Sequence, residues 1–281
     1  MGGDSRTVPS RTTEDRVFAI RTFNTISPVG LRELPEEGFT VGPELDDADA
    51  ILVRSADLHS FEFPPRLKAI ARAGAGVNNI PVERCSEHGV VVFNTPGANA
   101  NSVKELVVAG LLLASRDIHG GMGWVRTVAA EDDLQSRVEK EKKHYAGQEI
   151  MGKTLGVVGL GAIGVMVSNA AEALGMRVIG YDPFISVESA WGLAREVERA
   201  NTLEALLKQS DYVTLHVPLN DDTRGMINSA SISAMRPGSR LLNFARGALV
   251  DDSAVVAALD SGRLGRYVTD FPAPVLASHP S

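Results

Sequence analysis

Short apolar runs alternate with stretches of helical periodicity along most of the chain. In the first third, the runs at 17–23, 50–53 and 90–93 predict strands, because each is short and is followed by glycine, proline or polar residues. Pro28 and Gly30 lie in a more helical stretch between the first two runs. This alternation is typical of a parallel α/β sheet.

A second series of the same kind begins at Thr154. Its predicted strands lie at 154–158, 176–182, 212–218, 239–246 and 266–271. Its predicted helices lie at 162–174, 203–210 and 253–262. Two α/β blocks are therefore expected, divided near residue 100. We expect a disordered tail at 1–15, a first domain at 16–99 and a second domain at 100–281.

Two further local expectations come from the same pattern. Residues 102–115 predict a long buried helix, with Ser102 as its N-cap and Glu105 completing a capping box. The run LKAIARA predicts the end of a helix before a turn at Gly74 and Gly76. The polar stretch 119–150 is expected to be helical with a solvated charged face.

Composition and charge restrict the class of protein. The 281 residues carry a net charge of −7, which argues against general nucleic-acid binding. The lone Cys85 excludes a disulfide within the chain and is expected to be structural. The N-terminus has no apolar signal core, and the longest apolar run, 106–114, is too short to span a membrane. We expect a cytoplasmic protein with no membrane or nucleic-acid partner.

A glycine-rich turn carries the clearest chemical signal. Gly159, Gly161 and Gly164 follow a predicted strand and open a predicted helix. In this context the G-x-G-x-x-G spacing predicts a dinucleotide site, with the pyrophosphate at the helix N-terminus. Gly159 would allow the tight turn, Gly161 the approach of the pyrophosphate and Gly164 the packing of helix on strand.

An acidic residue ends the next predicted strand. Asp182 in MRVIGYD would accept hydrogen bonds from the adenosine ribose hydroxyls and repel a 2′-phosphate. The expected cofactor is therefore NAD. No metal site is expected.

With these motifs together, the chain resembles the D-2-hydroxyacid dehydrogenase family over roughly residues 17–275. The motifs that carry the resemblance are AGAGVNNI, FNTPGANANSVKELV, GKTLGVVGLGAIG, LHVPLNDDTRGMIN and LLNFARGALVDDSAVVAALDSGRLG. VRS at 53–55 and NSVKELV are most similar to the members that oxidise phosphoglycerate. The resemblance implies a Rossmann-type doubly wound parallel sheet and a smaller flavodoxin-like α/β substrate domain. It also implies a homodimer formed through a stretch like residues 100–150.

The resemblance implies roles for residues that would bind the substrate. Arg246 corresponds to the catalytic arginine, which binds the substrate carboxylate and polarises the reacting carbonyl, as a guanidinium fork suits. The backbone N–H groups of Ala75, Gly76 and Val77 would hold the carboxylate. Arg54 would bind a substrate phosphate.

The resemblance implies further contacts to the cofactor. Ala162 and Ile163 would lie under the pyrophosphate. The remaining contacts are the backbone of Phe244, Ala245 and Arg246 beside the nicotinamide, Asp270 at the carboxamide, and His216, Pro218 and Thr223 near the adenine.

The end of the chain departs from the family pattern. No acidic residue follows Asp270, where the family carries a glutamate, and the family's Pro-His-x-Gly loop is not found in this sequence. We therefore expect a truncated copy that lacks its C-terminal return segment and catalytic histidine. Losing such a group costs about 10²–10⁴ in rate.

Three functions remain open at this point. The first is NAD-dependent oxidation of a phosphorylated 2-hydroxy acid, in an active or inactive copy. The second is the same chemistry on another 2-hydroxy or 2-keto acid. The third is a non-catalytic NAD-binding protein, similar to corepressor relatives of the family.

Overall fold

The structure is a computed structural model that describes residues 16–277 and 279. The predicted disordered tail at 1–15 lies outside the described residues. The chain divides into two compact units between Ala98 and Asn99. In the described part of the chain, no helix has the length and apolar character needed to cross a bilayer.

The first unit is built on a five-stranded sheet whose paired strands are all parallel. Its elements are β1 (Phe18–Phe23), α1 (Pro28–Leu31), β2 (Phe39–Gly42), β3 (Ala50–Val53), β4 (Ala69–Arg72), α2 (Val82–Glu87) and β5 (Val91–Phe93). The strand order is β2-β1-β3-β4-β5, which is the flavodoxin-like order. This confirms the fold expected for the smaller unit.

The prediction of a helix ending within LKAIARA was wrong. Residues 69–72 form β4, which pairs with β3 through Ile51 and Ile70 and with β5 through Ile70 and Val92. Ile70 is fully buried. A short apolar run fits a buried central strand as well as a helix end, and here pairing on both sides decides for the strand.

Cys85 belongs to the hydrophobic core of the first unit, together with Ile51, Val53 and Leu58. Burial raises the pKa of its thiol, so the reactive thiolate is disfavoured at neutral pH. This environment supports the structural role expected for the cysteine.

The second unit is built on a six-stranded sheet, again with every paired strand parallel. Its helices are α3 (Ala100–Ser115), α4 (Ile118–Val128), α5 (Leu134–Glu141), α6 (Ala162–Ala173), α7 (Val187–Gly192), α8 (Leu203–Gln209), α9 (Ser229–Ala234), α10 (Asp252–Asp260) and α11 (Pro274–Ala277). Its strands are β6 (Thr154–Val158), β7 (Arg177–Tyr181), β8 (Glu198–Arg199), β9 (Tyr212–Leu215), β10 (Ser239–Asn243) and β11 (Leu264–Thr269).

The strand order of this sheet is β11-β10-β9-β6-β7-β8, the Rossmann order. The order reverses between the neighbouring strands β6 and β9, and ligands of such sheets bind beyond the carboxyl ends of the strands at that point. All five residues of β6 are buried, as expected for a central strand covered on both faces. The predicted doubly wound sheet is confirmed.

The predicted capping box at the start of α3 was wrong. The helix begins earlier, after Asn99, and Ser102 lies exposed inside its first turn. Glu105 accepts a hydrogen bond from the Asn101 side chain at 2.8 Å instead. The helix is also buried on one face only, because Leu106 and Leu113 are exposed.

Candidate functional site

The loop after β6 makes the tight turn that its glycines predict. Gly159 has a φ of +92°, a conformation open to glycine and strained for other residues. A Cβ on Gly159 would lie 2.7 Å from the backbone oxygen of His216. The N–H of Gly159 donates to the Tyr181 oxygen at 2.9 Å, and the N–H of His216 donates to the Val158 oxygen at 2.7 Å. The loop is therefore tied to the ends of both strands beside β6.

The other two glycines of the motif have different surroundings. A Cβ on Gly164 would lie 1.9 Å from the Gly159 carbonyl oxygen, so the first turn of α6 packs against the loop only without a side chain there. A Cβ on Gly161 would meet no atom within 4 Å. The space above Gly161 is thus open to a ligand.

The same loop presents a helix N-terminus to that open space. Gly161 is the N-cap of α6, and its side-chain position supplies no cap. The first N–H groups of a helix have no partner within the helix, and the dipole adds positive charge there. Ala162, Ile163 and Gly164 form this first turn. The residues present therefore fit a pyrophosphate.

Asp182 lies directly after β7, where the ribose ligand was predicted. One carboxylate oxygen accepts from the N–H of Leu160 in the glycine loop, and the other accepts from the N–H of Phe184, each at 2.8 Å. Each oxygen keeps a second lone pair for a hydroxyl donor. Asp182 is thus held beside the loop in a fixed orientation that suits a ribose.

His216 and Pro218 follow β9, across the reversal point from the glycine loop. The Nε2 of His216 lies 3.0 Å from the Thr214 hydroxyl, while its Nδ1 is buried without a hydrogen-bond partner. Burial lowers the pKa of His216 to about 3, so the ring is neutral at neutral pH. Thr223 shapes the neighbouring loop: its hydroxyl donates to the Pro218 oxygen at 2.7 Å.

The residues after β10 are fixed by a buried side chain that the sequence interpretation missed. Asn243 is fully buried. Its Nδ2 donates to the Arg246 carbonyl at 2.9 Å, and its Oδ1 accepts from the Ala245 N–H at 3.1 Å. The Phe244 ring packs into the core beside α3. The backbone of 244–246 is therefore held in place by Asn243, with the Phe244 ring in the core.

Arg246 itself is half buried and makes no ion pair within the described residues. Its Nη1 donates to the Ala245 carbonyl at 2.6 Å. An arginine in this position could instead serve a surface salt bridge, but none is observed for Arg246 among the described residues. Asp270 follows β11 in an exposed position at the same carboxyl edge of the sheet.

In the first unit, the glycine-rich loop after β4 has backbone donors available. The N–H groups of Ala75, Gly76 and Val77 have no hydrogen-bond partner in the part of the chain that the structure describes. Successive backbone N–H groups in a turn can form an anion-binding concavity. The loop therefore fits the carboxylate role expected for it.

Arg54 follows β3 with an exposed side chain. Its loop is held by Asn24, a second residue that the sequence interpretation missed. The Oδ1 of Asn24 accepts from the N–H groups of Ser55 and Ala56 at 2.9 Å and 2.6 Å. Asn24 has a φ of +64°, which asparagine tolerates better than most residues. An asparagine at a strand end was the only signal available in the sequence.

Comparison with known proteins agrees with this geometry. Residues 108–280 match the family described as D-isomer specific 2-hydroxyacid dehydrogenase, NAD binding domain. A D-3-phosphoglycerate dehydrogenase of Methanocaldococcus jannaschii is 39% identical over 230 residues, which are 81% of this chain and 42% of the relative. The chain thus spans less than half the length of that protein.

Two further similarities cover more of the compared protein. A hydroxypyruvate reductase of Thermotoga maritima is 39% identical over 223 residues, which are 78% of this chain and 68% of the relative. The structure of an Entamoeba histolytica 3-phosphoglycerate dehydrogenase with bound NAD⁺ is similar with a TM-score of 0.72 at 27% identity, covering 92% of this chain and 82% of that one. The chain belongs to the D-isomer-specific 2-hydroxyacid dehydrogenase family, and residues 108–280 are its NAD-binding domain.

Proposed function

We propose that the chain serves the NAD-dependent oxidation of 3-phospho-D-glycerate to 3-phosphohydroxypyruvate, a step of serine biosynthesis. The observation that carries this proposal is Arg246, which follows a strand end held by Asn243 in a Rossmann unit with an open glycine loop and makes no ion pair among the described residues. The names of several relatives at 35–39% identity support the phosphorylated substrate.

The two units have separate tasks in this proposal. Residues 16–99 bind the substrate: the N–H groups of Ala75, Gly76 and Val77 hold its carboxylate, and Arg54 holds its phosphate. Residues 100–281 bind NAD. The proposed cofactor contacts are Gly159, Gly161, Ala162, Ile163, Gly164, Asp182, His216, Pro218, Thr223, Phe244, Ala245, Arg246 and Asp270.

Bound NAD would supply the hydride acceptor for C2 of the hydroxy acid. Arg246 orients the substrate and stabilises the partial negative charge on the reacting oxygen. Asn243 fixes the arginine's backbone, so little reorganisation is needed as that charge develops. Asp182 holds the ribose and favours NAD over NADP.

The hydroxyl proton requires a general base, which we do not assign to His216. That ring is neutral and buried after β9, with its Nε2 against Thr214.

The hydroxypyruvate reductase relative favours a second candidate, the reduction of an unphosphorylated 2-keto acid. Substitution of Arg54 distinguishes the two candidates, because only a phosphorylated substrate would make a strong charged contact with this side chain. If Arg54→Gln weakens binding of 3-phosphoglycerate but not of glycerate, the phosphorylated substrate is supported. Equal affinities for the two acids in the wild-type chain would favour the second candidate.

Calorimetric titration of NADH, followed by 3-phosphoglycerate, tests the proposed function directly. We expect Arg246→Gln to keep NADH affinity and to weaken binding of the acid by at least about tenfold, since a charged hydrogen bond is worth roughly 1.5–3 kcal/mol. Arg195→Gln, at an exposed arginine of the same unit, is the matched control. A wild-type chain that does not bind NADH, or an Arg246→Gln chain that binds the acid normally, would contradict the proposal.

We further propose that the protein acts as a cytoplasmic homodimer paired through residues 100–150. The support is an exposed apolar surface on α3 and α4. Its members, between 41% and 58% exposed, are Leu106, Leu112, Leu113, Ile118, Met122 and Val125. The single buried cysteine, without a disulfide, is compatible with a reducing compartment.

A further inference from the structure

Three successive carbonyl groups in the loop after β4 are each held by a donor from a neighbouring element. The Gly74 oxygen accepts from the N–H of Thr95 at 3.0 Å. The Ala75 oxygen accepts from the side-chain Nδ2 of Asn94 at 2.7 Å. The Gly76 oxygen accepts from Nη1 of Arg72. Every carbonyl in this segment is therefore directed back into the protein.

This arrangement controls where the neighbouring N–H groups point. A trans peptide is planar, with the C=O of one residue opposite the N–H of the next. Holding the carbonyls of 74, 75 and 76 thus fixes the N–H groups of Ala75, Gly76 and Val77. These three donors have no partner among the described residues. The contacts turn an otherwise flexible glycine-rich loop into a set of preorganised anion donors.

Arg72 connects this loop to the one that carries Arg54. Its Nε donates to the Arg54 carbonyl at 3.1 Å. Its guanidinium lies close beneath Gly74, where a Cβ would come within 2.9 Å of Nη1. The positive charge of Arg72 is thus placed directly behind the backbone donors, where it adds to their attraction for an anion.

We infer that Asn94 and Arg72 are positioning residues that aim the N–H groups of 75–77 at the carboxylate of a 2-hydroxy acid. The inference rests on the proposed function for the identity of the anion. Asn94 acts through the Ala75 carbonyl and Arg72 through the Gly76 carbonyl. Both act at one end of the substrate, while Arg54 is the proposed contact of its phosphate.

The test compares Asn94→Ala with Asn101→Ala in the full chain. Both asparagines are exposed, and Asn101 contacts Glu105 and Lys104 on α3, in the other unit. Without ligand, we expect ¹⁵N relaxation to show increased backbone motion at 75–77 in Asn94→Ala only. With 3-phosphoglycerate and NADH, we expect about fivefold weaker binding, as for the loss of one hydrogen bond. The shifts of these three amides on titration should shrink in the same variant.

Arg72→Lys provides a second test, because it keeps the charge but loses the planar fork that reaches both carbonyls. We expect increased motion at Gly76 and Val77 and again about fivefold weaker binding. Unchanged loop motion in both variants would overturn the inference, whether or not the acid binds. Normal acid binding in both variants would overturn it as well and leave the proposed function intact. A wild-type chain whose loop amides do not respond to 3-phosphoglycerate would instead contradict the proposed function at this loop.

Discussion

At the scale of single residues, two glycines of the loop after β6 serve different purposes, one in folding and one in ligand binding. Gly164 is enclosed by backbone, with the Gly159 oxygen 1.9 Å from the position of an added Cβ. Gly161 has an ordinary φ of −74° and open space around it. Gly164 is therefore required by the fold of the protein itself, whereas Gly161 is required only for binding a ligand.

This difference predicts opposite behaviour for two similar substitutions. Gly164→Ala should lower the free energy of unfolding by roughly 1–3 kcal/mol, because a carbonyl oxygen cannot move aside as a flexible side chain can. Gly161→Ala should leave it within about 0.5 kcal/mol and weaken NADH binding at least about tenfold. Urea unfolding and calorimetry measure the two quantities. Normal NADH affinity in Gly161→Ala would show that the pyrophosphate lies elsewhere.

Some residues of the candidate site could be predicted from the sequence, and others could not. The positive φ of Gly159 and the position of Asp182 after β7 could be predicted, because a motif records backbone conformation and chain position. Asn243 and Asn24 were not, because each acts through contacts to residues whose positions follow from the fold. An asparagine after an apolar run has the same appearance whether or not it holds a loop.

At the scale of elements, the sequence predicted central strands better than helix boundaries. Every residue of β6 and β9 is buried, and so is every residue of β10 except the half-buried Arg240, because both faces of these strands are covered. The predicted N-cap of α3 was wrong by three residues, since Ser102 matches a capping pattern although the structure places the N-cap at Asn99. Helix ends depend on local contacts that a short motif does not determine.

The exposed faces of α3 and α4 lead to the prediction of dimer formation. An apolar surface of this extent on two adjacent helices is typical of a protein interface. Burying a carboxylate without a partner in an interface costs free energy. The double variant Met122→Glu, Val125→Glu should therefore be a monomer at micromolar concentration, where the wild-type chain is a dimer. Light scattering coupled to size-exclusion chromatography measures the mass.

The control for this experiment is Val187→Glu on α7, an exposed apolar residue outside residues 100–150. That variant should keep the wild-type mass. A wild-type chain that is monomeric at micromolar concentration, or a double variant that remains dimeric, would contradict pairing through residues 100–150.

At the scale of the whole molecule, the two units should respond to acid in different pH ranges. In the second unit, burial lowers the pKa of His216 to about 3, so the folded state excludes a proton that the unfolded chain binds below about pH 6.5. In the first unit, burial alone would raise the pKa of Asp49. The Ala19 N–H and the charges of Arg16 and Arg66 outweigh this effect and hold that pKa below its usual value. The stabilisation by Asp49 is therefore lost only at lower pH, as the carboxylate protonates.

Because His216 and Asp49 act in different pH ranges, we expect the second unit to lose stability first on acidification. Between pH 7 and pH 5, its free energy of unfolding should fall by up to about 2 kcal/mol through His216 alone, because each pH unit below the unfolded pKa contributes about 1.4 kcal/mol. Both tryptophans, Trp124 and Trp191, lie in the second unit, so their fluorescence during urea unfolding follows that unit. His216→Gln should flatten the dependence on pH, whereas His119→Gln, at an exposed histidine of the same unit, should not. The same pH dependence in His216→Gln and wild type would mean that the ring is protonated in the folded state, and the neutral His216 assumed at the cofactor edge would be wrong.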